Sequence, residues 1–386
     1  TLTVQGQAEE NTEPMLEGDL TLIDAIKLSL QYNRNLQIEL EARLAARGQI
    51  SSAFGAVAPS VQVDGGFTRD EDVSGFIIDG EPITSGVLDQ YSATLRVEQP
   101  LFNGGGLFSG VRAAKYFKAL SEQNIQAVLE NTLYEAISGY YEVLLLQEEL
   151  EVAEALLELN KHLFQDVKNN REVGLATEFN VLVAQVELSN AETARISAQN
   201  RFDQAMASYL RTLGVSQNSE VALVDRLEFN PIETNRSEAI QLALTHRPEL
   251  AAANIHVGLQ KEVLRGSYSN YFPDVTAFFD NTWGRPLPFA QGEDRWGRLW
   301  SAGLSFSWDI FNLGREGQIQ QERAALRQQQ IAFYDTQEEI LFEVQSAFLA
   351  LENARQSVET QQLTLEQAIG DSAHPENRAY HPAALP

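Results

Sequence analysis

The sequence predicts an internally duplicated α+β membrane protein in which long α-helical hairpins are joined to four β-strands per chain. Three observations predict it. Landmarks recur at a nearly constant offset, short runs alternate apolar and polar residues with period two, and a proline-free stretch of about 60 residues carries helical periodicity.

The repeat comes first because the other elements are placed by it. Ala25-Ile26-Lys27-Leu28-Ser29-Leu30, leading to Asn33-Arg34-Asn35-Leu36, matches Ala239-Ile240-Gln241-Leu242-Ala243-Leu244, leading to Arg247-Pro248-Glu249-Leu250, at an offset of 214 residues. The same offset carries Pro59-Ser60-Val61 onto Pro273-Asp274-Val275. Further on, Leu101-Phe102-Asn103-Gly104-Gly105 matches Ile310-Phe311-Asn312-Leu313-Gly314 at an offset of 209. Three landmarks in one order make chance a poor explanation. The spacing divides the chain into an N-terminal extension (1–20), a first repeat (21–214), a linker (215–235), an incomplete second repeat (236–369) and an atypical tail (370–386).

Each copy opens with a helix, read in the first copy from Leu36, Leu40, Leu44 and Ile50. It ends near Pro59, because proline cannot continue a helix and biases its predecessor to extended geometry. Val61, Val63, Gly65 and Phe67 then alternate with Gln62, Asp64, Gly66 and Thr68. Beyond a Gly- and Asp-rich loop, Tyr91, Ala93, Leu95 and Val97 alternate with Ser92, Thr94, Arg96 and Glu98. Period two means a strand with two unlike faces. In the second copy the apolar face is read as Trp300, Ala302, Leu304, Phe306, Trp308 and Ile310, against Ser301, Gly303, Ser305, Ser307 and Asp309. A soluble sandwich would also alternate, and Phe278 and Phe279 could pack between sheets. The small hydroxyls of the polar face and the aromatics Tyr271, Trp300 and Trp308 favour a barrel with lipid outside and water inside.

From about Leu107 to Lys168 there is no proline, and apolar residues recur from Ile125 and Leu129 through Leu163 and Val167. Such a stretch spans about 90 Å as a helix, which calls for a coiled-coil-like bundle. It breaks at Val173-Gly174-Leu175-Ala176-Thr177. Thr177 is placed to N-cap a return helix that stops at Gly214.

Composition narrows the function classes. Hydrophobic residues make up 44% and charged residues 21%, which is not a disordered composition. The net charge of −26 argues against nucleic acid as a partner. Cysteine is absent, which removes thiolate metal sites, cysteine nucleophiles and disulfides. Thr1-Leu2-Thr3-Val4 opens no signal peptide, so such a segment is expected to be absent or removed. No run approaches the ~18 apolar residues of a spanning helix, so a membrane crossing would use strands.

Catalytic and cofactor constellations are not legible, and neither an enzyme activity nor a cofactor is expected. The five histidines, His162, His246, His256, His374 and His381, form no ligand spacing. Gly104-Gly105-Gly106 lacks the Lys-Ser/Thr of a phosphate loop and reads better as a strand-to-helix turn. Gly-x-Ser-x-Gly is missing. Asp70-Glu71-Asp72 reads as a solvated loop before a cation site.

Four strands cannot close a barrel, since the smallest membrane barrels use about 8. An open edge in lipid leaves backbone groups unpaired at several kcal/mol each. Strands that enter a membrane therefore require association of chains, and three chains would supply twelve.

Over residues of about 20–369 the chain resembles the TolC-like outer-membrane efflux proteins. The carriers are the duplicated Ala25-Ile26 and Ala239-Ile240 segments, Pro59 and Pro273 before the strands, and the turns holding Asn103, Gly105, Asn312 and Gly314. The tip Val173-Gly174-Leu175-Ala176-Thr177, followed by Val181-Leu182-Val183-Ala184-Gln185, completes them. The resemblance implies a homotrimer, a barrel in outer-membrane lipid and a helical tunnel in the periplasm. It also implies a passive exit duct for efflux or type I secretion, coupled through a periplasmic adaptor to an inner-membrane pump. It assigns adaptor docking to Val173, Gly174, Leu175, Ala176 and Thr177. Tyr91, Leu95, Val97, Trp300, Leu304, Phe306 and Trp308 become the lipid-facing barrel residues.

Two departures accompany the resemblance. Asn180 stands where the family often has Asp after the tip threonine. The second return helix would fall at about residues 387–422, yet the sequence closes with Gly370 to Pro386, which matches neither the first copy nor a helix and suggests truncation or a shifted frame. The family's pore-constricting acidic positions belong to that second tip. A scaffolding coiled coil without channel activity is the alternative, and it leaves the paired two-faced strands unexplained.

Overall fold

The computed structural model describes residues 3–5, 14–71, 75–78, 81–84, 87–230, 235–287 and 294–372. The first copy runs β1 (Thr3–Gln5), β2 (Met15–Leu20), α1 (Leu22–Tyr32), α2 (Arg34–Gly55), β3 (Ser60–Arg69), β4 (Gly75–Ile78), β5 (Glu81–Thr84), β6 (Asp89–Asn103), α3 (Gly106–Glu172) and α4 (Glu178–Leu213). After β7 (Glu220–Leu223) the plan repeats as α5 (Arg236–His246), α6 (Pro248–Ser269), β8 (Asp274–Arg285), β9 (Gly297–Ser307) and α7 (Leu313–Ser372). The long helix is as expected and slightly longer. The opening helix of each copy is two helices, not one.

The landmark that revealed the duplication is where that helix breaks. Asn33 leaves the helix at φ −60° and ψ 122°, and its counterpart Arg247 does the same at φ −62° and ψ 119°. In the first copy the side chain of Asn33 caps the new helix and ties it to the end of α4. Its Nδ2 donates to Thr212 O at 2.9 Å, and its Oδ1 accepts from Leu36 N at 3.1 Å. In the second, Pro248 sits at the first position of the new helix, where its missing N–H is no loss. α7 continues through Ser372, so Gly370, Asp371 and Ser372, assigned to the tail, are helical.

The chain divides into two compact units. One comprises Thr1–Leu40, Ile125–Thr245 and Leu341–Pro386. Its core gathers Leu16, Leu20, Ala25, Leu28, Tyr140, Leu210, Leu213, Val215 and Leu223. Segments read from sequence as an extension and a linker supply a small sheet there: β2 pairs antiparallel with β1 and parallel with β7. Tyr140 is fully buried, and its hydroxyl lies 2.9 Å from Leu20 O and 2.7 Å from Asp225 Oδ2. The Tyr209 hydroxyl donates to Ala136 O at 3.0 Å. Burial pushes both phenols well above the ordinary tyrosine range, so both remain neutral donors.

The other unit comprises Glu41–Asn124 and His246–Ile340. It holds a four-stranded sheet in the order β3-β6-β8-β9, antiparallel throughout. Segments of α3 and α6 in this unit pack closely against each other. The Tyr116 ring fills the space that a Cβ at Gly258 would need, at 2.6 Å. The buried Glu262 accepts from Arg112 Nε at 2.7 Å and from Arg265 Nη1 at 2.6 Å. One buried carboxylate with two guanidinium partners is fully compensated, which a buried charge requires. β4 and β5 form a separate two-stranded ribbon.

Gly214 joins the end of α4 to the break after α1. It is left-handed at φ 78°, and a Cβ there would lie 2.0 Å from Tyr32 O. Gly105 is also left-handed, at φ 89°, with open space around it. Gly214→Ala should therefore cost about 3 kcal/mol or more of stability, against about 1 kcal/mol for Gly105→Ala. Thermal unfolding of the two variants in detergent checks the ranking.

Candidate functional site: a two-faced sheet and a capped hairpin tip

The register of the four strands sorts their side chains into two faces, since cross-strand partners share a face. On one face Val61 meets Val97, Val63 meets Leu95, Gly65 meets Ala93 and Phe67 meets Tyr91. β8 continues this face with Val97 opposite Phe279, Leu95 opposite Asn281 and Ala93 opposite Trp283. β9 completes it with Phe279 opposite Ala302, Ala277 opposite Leu304 and Val275 opposite Phe306. Phe279 stacks on Trp300 at 6.3 Å, and Phe67 packs on Tyr91 at 4.9 Å. Tyr91, Leu95, Val97, Trp300, Leu304 and Phe306 are thus brought together on one apolar surface.

The opposite face is polar. Its central row reads Gln62, Arg96, Asp280 and Ser301 across the four strands. Arg96 Nε donates to Asp280 Oδ1 at 2.9 Å, and Gln62 Nε2 donates to Asp64 Oδ1 at 2.8 Å. The next row joins the hydroxyls of Thr94 and Thr282 at 3.0 Å. Phe278 and Leu299 are exceptions on this face; the Phe278 ring lies against Gly303, where a Cβ would meet it at 3.0 Å.

The two prolines of the repeat set the near end of the sheet. The β3–β6 ladder begins at Ser60 opposite Glu98, and the β8–β9 ladder at Asp274 opposite Ser307. One step further would place Pro59 opposite Gln99 and Pro273 opposite Trp308, and a proline has no N–H to extend a ladder. This corrects the assignment of Trp308 and Ile310 to the strand: both lie past its end at Ser307. Trp308 instead donates its indole N–H to Tyr271 O at 3.1 Å. The half-turn after it is held by the buried Arg315, whose guanidinium donates to Asp309 O and lies 4.9 Å over the Tyr271 ring. Sequence reading missed Arg315, because a burial of this kind leaves no periodic signal.

The strand-to-helix turns share an asparagine and differ in their glycines. Asn103 Oδ1 caps the N–H of Leu107 at 3.0 Å, and Asn312 Oδ1 accepts from Gly314 N at 3.0 Å. Gly104 and Gly105 are both left-handed, at φ 63° and 89°, whereas Gly314 lies inside the first turn of α7 and needs no such freedom. The register of β6 also slips between Pro100 and Phe102, leaving Leu101 as a bulge. One extra residue moves Phe102 to the face of Val275. A strict alternation misses that.

The second feature is the α3–α4 tip. Leu175 N donates to Asn170 O at 2.8 Å and Gly174 N to Arg171 O at 3.0 Å, with Gly174 at φ 81°. This 6→1 and 5→2 pair is the Schellman ending of a helix. Thr177 then caps α4: its side chain accepts from Asn180 N, and the Asn180 side chain accepts from Thr177 N at 3.0 Å. Asn180 is thus a capping-box residue. Arg171 and Glu178 form an ion pair across the turn. Beyond these bonds the side chains stand free: Val173 is 71% exposed, Leu175 80% and Phe179 71%.

No group of three or more His, Asp or Glu is arranged to hold a metal among the described residues. His374 and His381, and Asp72 of the acidic run, lie outside the described residues. No described helix is long and apolar enough to cross a membrane. Thr177→Ala should remove about 1 kcal/mol of capping. Faster amide exchange in the first turn of α4, with the core around Tyr140 unchanged, is the expected reading.

Comparison with known proteins agrees with this geometry. Residues 25–215 and 239–370, well over half of the chain, match the family model described as outer membrane efflux protein. The alkaline protease secretion protein AprF of Pseudomonas aeruginosa is 24% identical over 258 residues, covering 66% of this chain and 53% of that protein. Outer membrane efflux protein BepC of Brucella suis is 25% identical over 272 residues, covering 68% and 57%. The chain therefore spans little more than half the length of these curated relatives. The outer membrane protein VceC of Vibrio cholerae has the same fold, with a TM-score of 0.77 at 17% identity over 94% of this chain and 87% of that one. The matched segments coincide with the two structural copies, and on that ground the chain belongs to the outer membrane efflux protein family.

Proposed function

We propose that this chain is one wall segment of a passive exit duct in the bacterial outer membrane, assembled as a homotrimer. The observation that carries the reading is the four-stranded sheet, with one apolar face, one polar face and two edges unpaired among the described residues. β3 has 10 residues, β8 12 and β9 11, which suits membrane strands of about 9–11 residues tilted near 45°. A sheet open at β3 and β9 would leave unpaired N–H and C=O groups in lipid. Because β3 and β9 run in opposite directions, β9 of one copy can pair antiparallel with β3 of the next. Three copies make a closed ring of twelve. The apolar face with Tyr91, Leu95, Val97, Trp300, Leu304 and Phe306 then meets lipid, and Trp308 lies at its near margin. The polar face lines the water-filled lumen.

The helices belong on the periplasmic side in this reading. The exposed tip of Val173, Gly174, Leu175, Ala176 and Thr177 docks a periplasmic adaptor, which couples the duct to an inner-membrane pump. The duct supplies no energy. It opens when the adaptor binds the hairpins of the open state more tightly than those of the closed one. One relative is named for secretion of a protease and another for efflux, so the cargo is either an exported protein or smaller solutes.

The tip gives the test. A Cβ at Gly174 meets nothing within 4 Å, so a side chain there is opposed only by the left-handed backbone. Aspartate tolerates that conformation better than most residues. Gly174→Asp should abolish export while trimers persist in the outer-membrane fraction at the normal mass. Normal export by that variant would rule out docking at the tip, and a soluble monomeric parent chain would rule out the barrel.

A further inference from the structure

We infer that the far end of the apolar face holds a site for an anionic, phosphate-bearing lipid headgroup, with Arg298 as its cation. The inference rests on the reading of that face as lipid-facing. Arg298 lies in β9 directly opposite Trp283, on the same face as Trp300, Leu304 and Phe306. It is exposed and makes no hydrogen bond or ion pair with any described residue. Two other arginines at this end are already paired. Arg285 holds Asp294 through two bonds, at 2.7 and 2.9 Å, and Arg69 lies 3.6 Å from Asp89.

Depth decides whether such an arginine is tolerable and what it meets. Counting at about 3.4 Å per residue, Arg298 lies about 30 Å along β9 from Ser307. A strand tilt near 40° reduces that to about 23 Å of height, close to the ~25 Å apolar band of membrane barrels. Ser307 marks the near margin of the band, and Arg298 therefore marks the far one. A lipid-facing arginine costs about 2–4 kcal/mol at the midplane and close to nothing at the interface, so the position is tolerable only at headgroup level. Trp283, Trp296 and Trp300 are all exposed there, and Trp296 packs within 6.0 Å of Tyr91. Indoles are the side chains that settle at headgroup depth.

The chemistry then selects the occupant. A guanidinium presents paired N–H donors that match two oxygens of a phosphate, and it remains charged at every relevant pH. Arg298 has no counter-charge among the described residues, and the exposed indoles of Trp283 and Trp300 on the same face offer flat surfaces to acyl chains or sugar rings. A phosphate attached to a lipid satisfies both features; free phosphate satisfies only the first. With the helices on the periplasmic side, the lipid is one of the outer leaflet.

The experiment uses the full assembly extracted in mild detergent from the outer-membrane fraction, with retained lipid counted by native mass spectrometry. The parent assembly should retain phosphate-bearing lipid, up to one molecule per chain. Arg298→Gln should lower that retention about tenfold, the loss expected for a charge-assisted hydrogen-bonded contact. Arg298→Lys should restore part of it. Re-adding a phosphate-bearing outer-leaflet lipid should raise the melting temperature of the parent, whereas the dephosphorylated lipid and inorganic phosphate should not. Unchanged lipid retention in Arg298→Gln would overturn the site. So would equal binding of the dephosphorylated lipid. Dissociation of Arg298→Gln into single chains, with lipid per assembly unchanged, would reassign Arg298 to a seam between copies. A parent chain absent from the outer-membrane fraction would instead remove the lipid-facing reading on which the site stands.

Discussion

The rest of the structure depends on backbone hydrogen bonding at the two edges of the sheet. β3 and β9 each present a row of N–H and C=O groups with no partner strand among the described residues. In water such edges cost little and invite aggregation. In lipid each unpaired group costs several kcal/mol, and no side chain on the strand can offset that. The apolar face rules out leaving the sheet in water, and the open edges rule out leaving it alone in lipid. Repetition of the chain around a ring satisfies both conditions. In the proposed ring the single wall segment is incomplete, and its assembly is coupled to membrane entry.

The ends of the strands are controlled by small, specific devices. Pro59 and Pro273 each stop a ladder, at Ser60 and at Asp274, and the margin between them is stepped, because Ser60 is level with Phe278, four residues short of Asp274. Asn103 and Asn312 turn the chain from strand to helix by capping the first free N–H groups. At the other end of the long hairpin, the Schellman glycine and the Thr177–Asn180 capping box close the backbone on itself. The turn is thus held from within, and its exposed apolar side chains are free for a partner.

Most of this was legible in the sequence because it is periodic. Alternation through Tyr91, Leu95 and Val97 and through Trp300, Leu304 and Phe306 identified both faces. The absence of proline after Leu107 identified α3, and Gly174, Thr177 and Gly214 marked its turn and return. The features that escaped are local and aperiodic. Asn33 caps α2 and holds the end of α4 through two side-chain bonds that no pattern announces. Leu101 bulges and carries Phe102 to the other face. Trp308 continues the alternation yet lies beyond the strand, because the limit is set by Pro273 on the neighbouring one. The short β2 and β7 strands pair across 203 residues of sequence, a distance at which single-chain periodicity carries no information.

The central claim is that the two faces of the sheet meet different solvents. The chain has no cysteine, so single cysteines can be introduced one at a time along β9. Reaction with a membrane-impermeant thiol reagent, on assembled protein in outer membranes, reads the solvent at each position. The account predicts alternation: Ser301→Cys and Ser305→Cys react, while Ala302→Cys, Leu304→Cys and Phe306→Cys do not. Equal reactivity along the strand would place both faces in water and contradict the barrel.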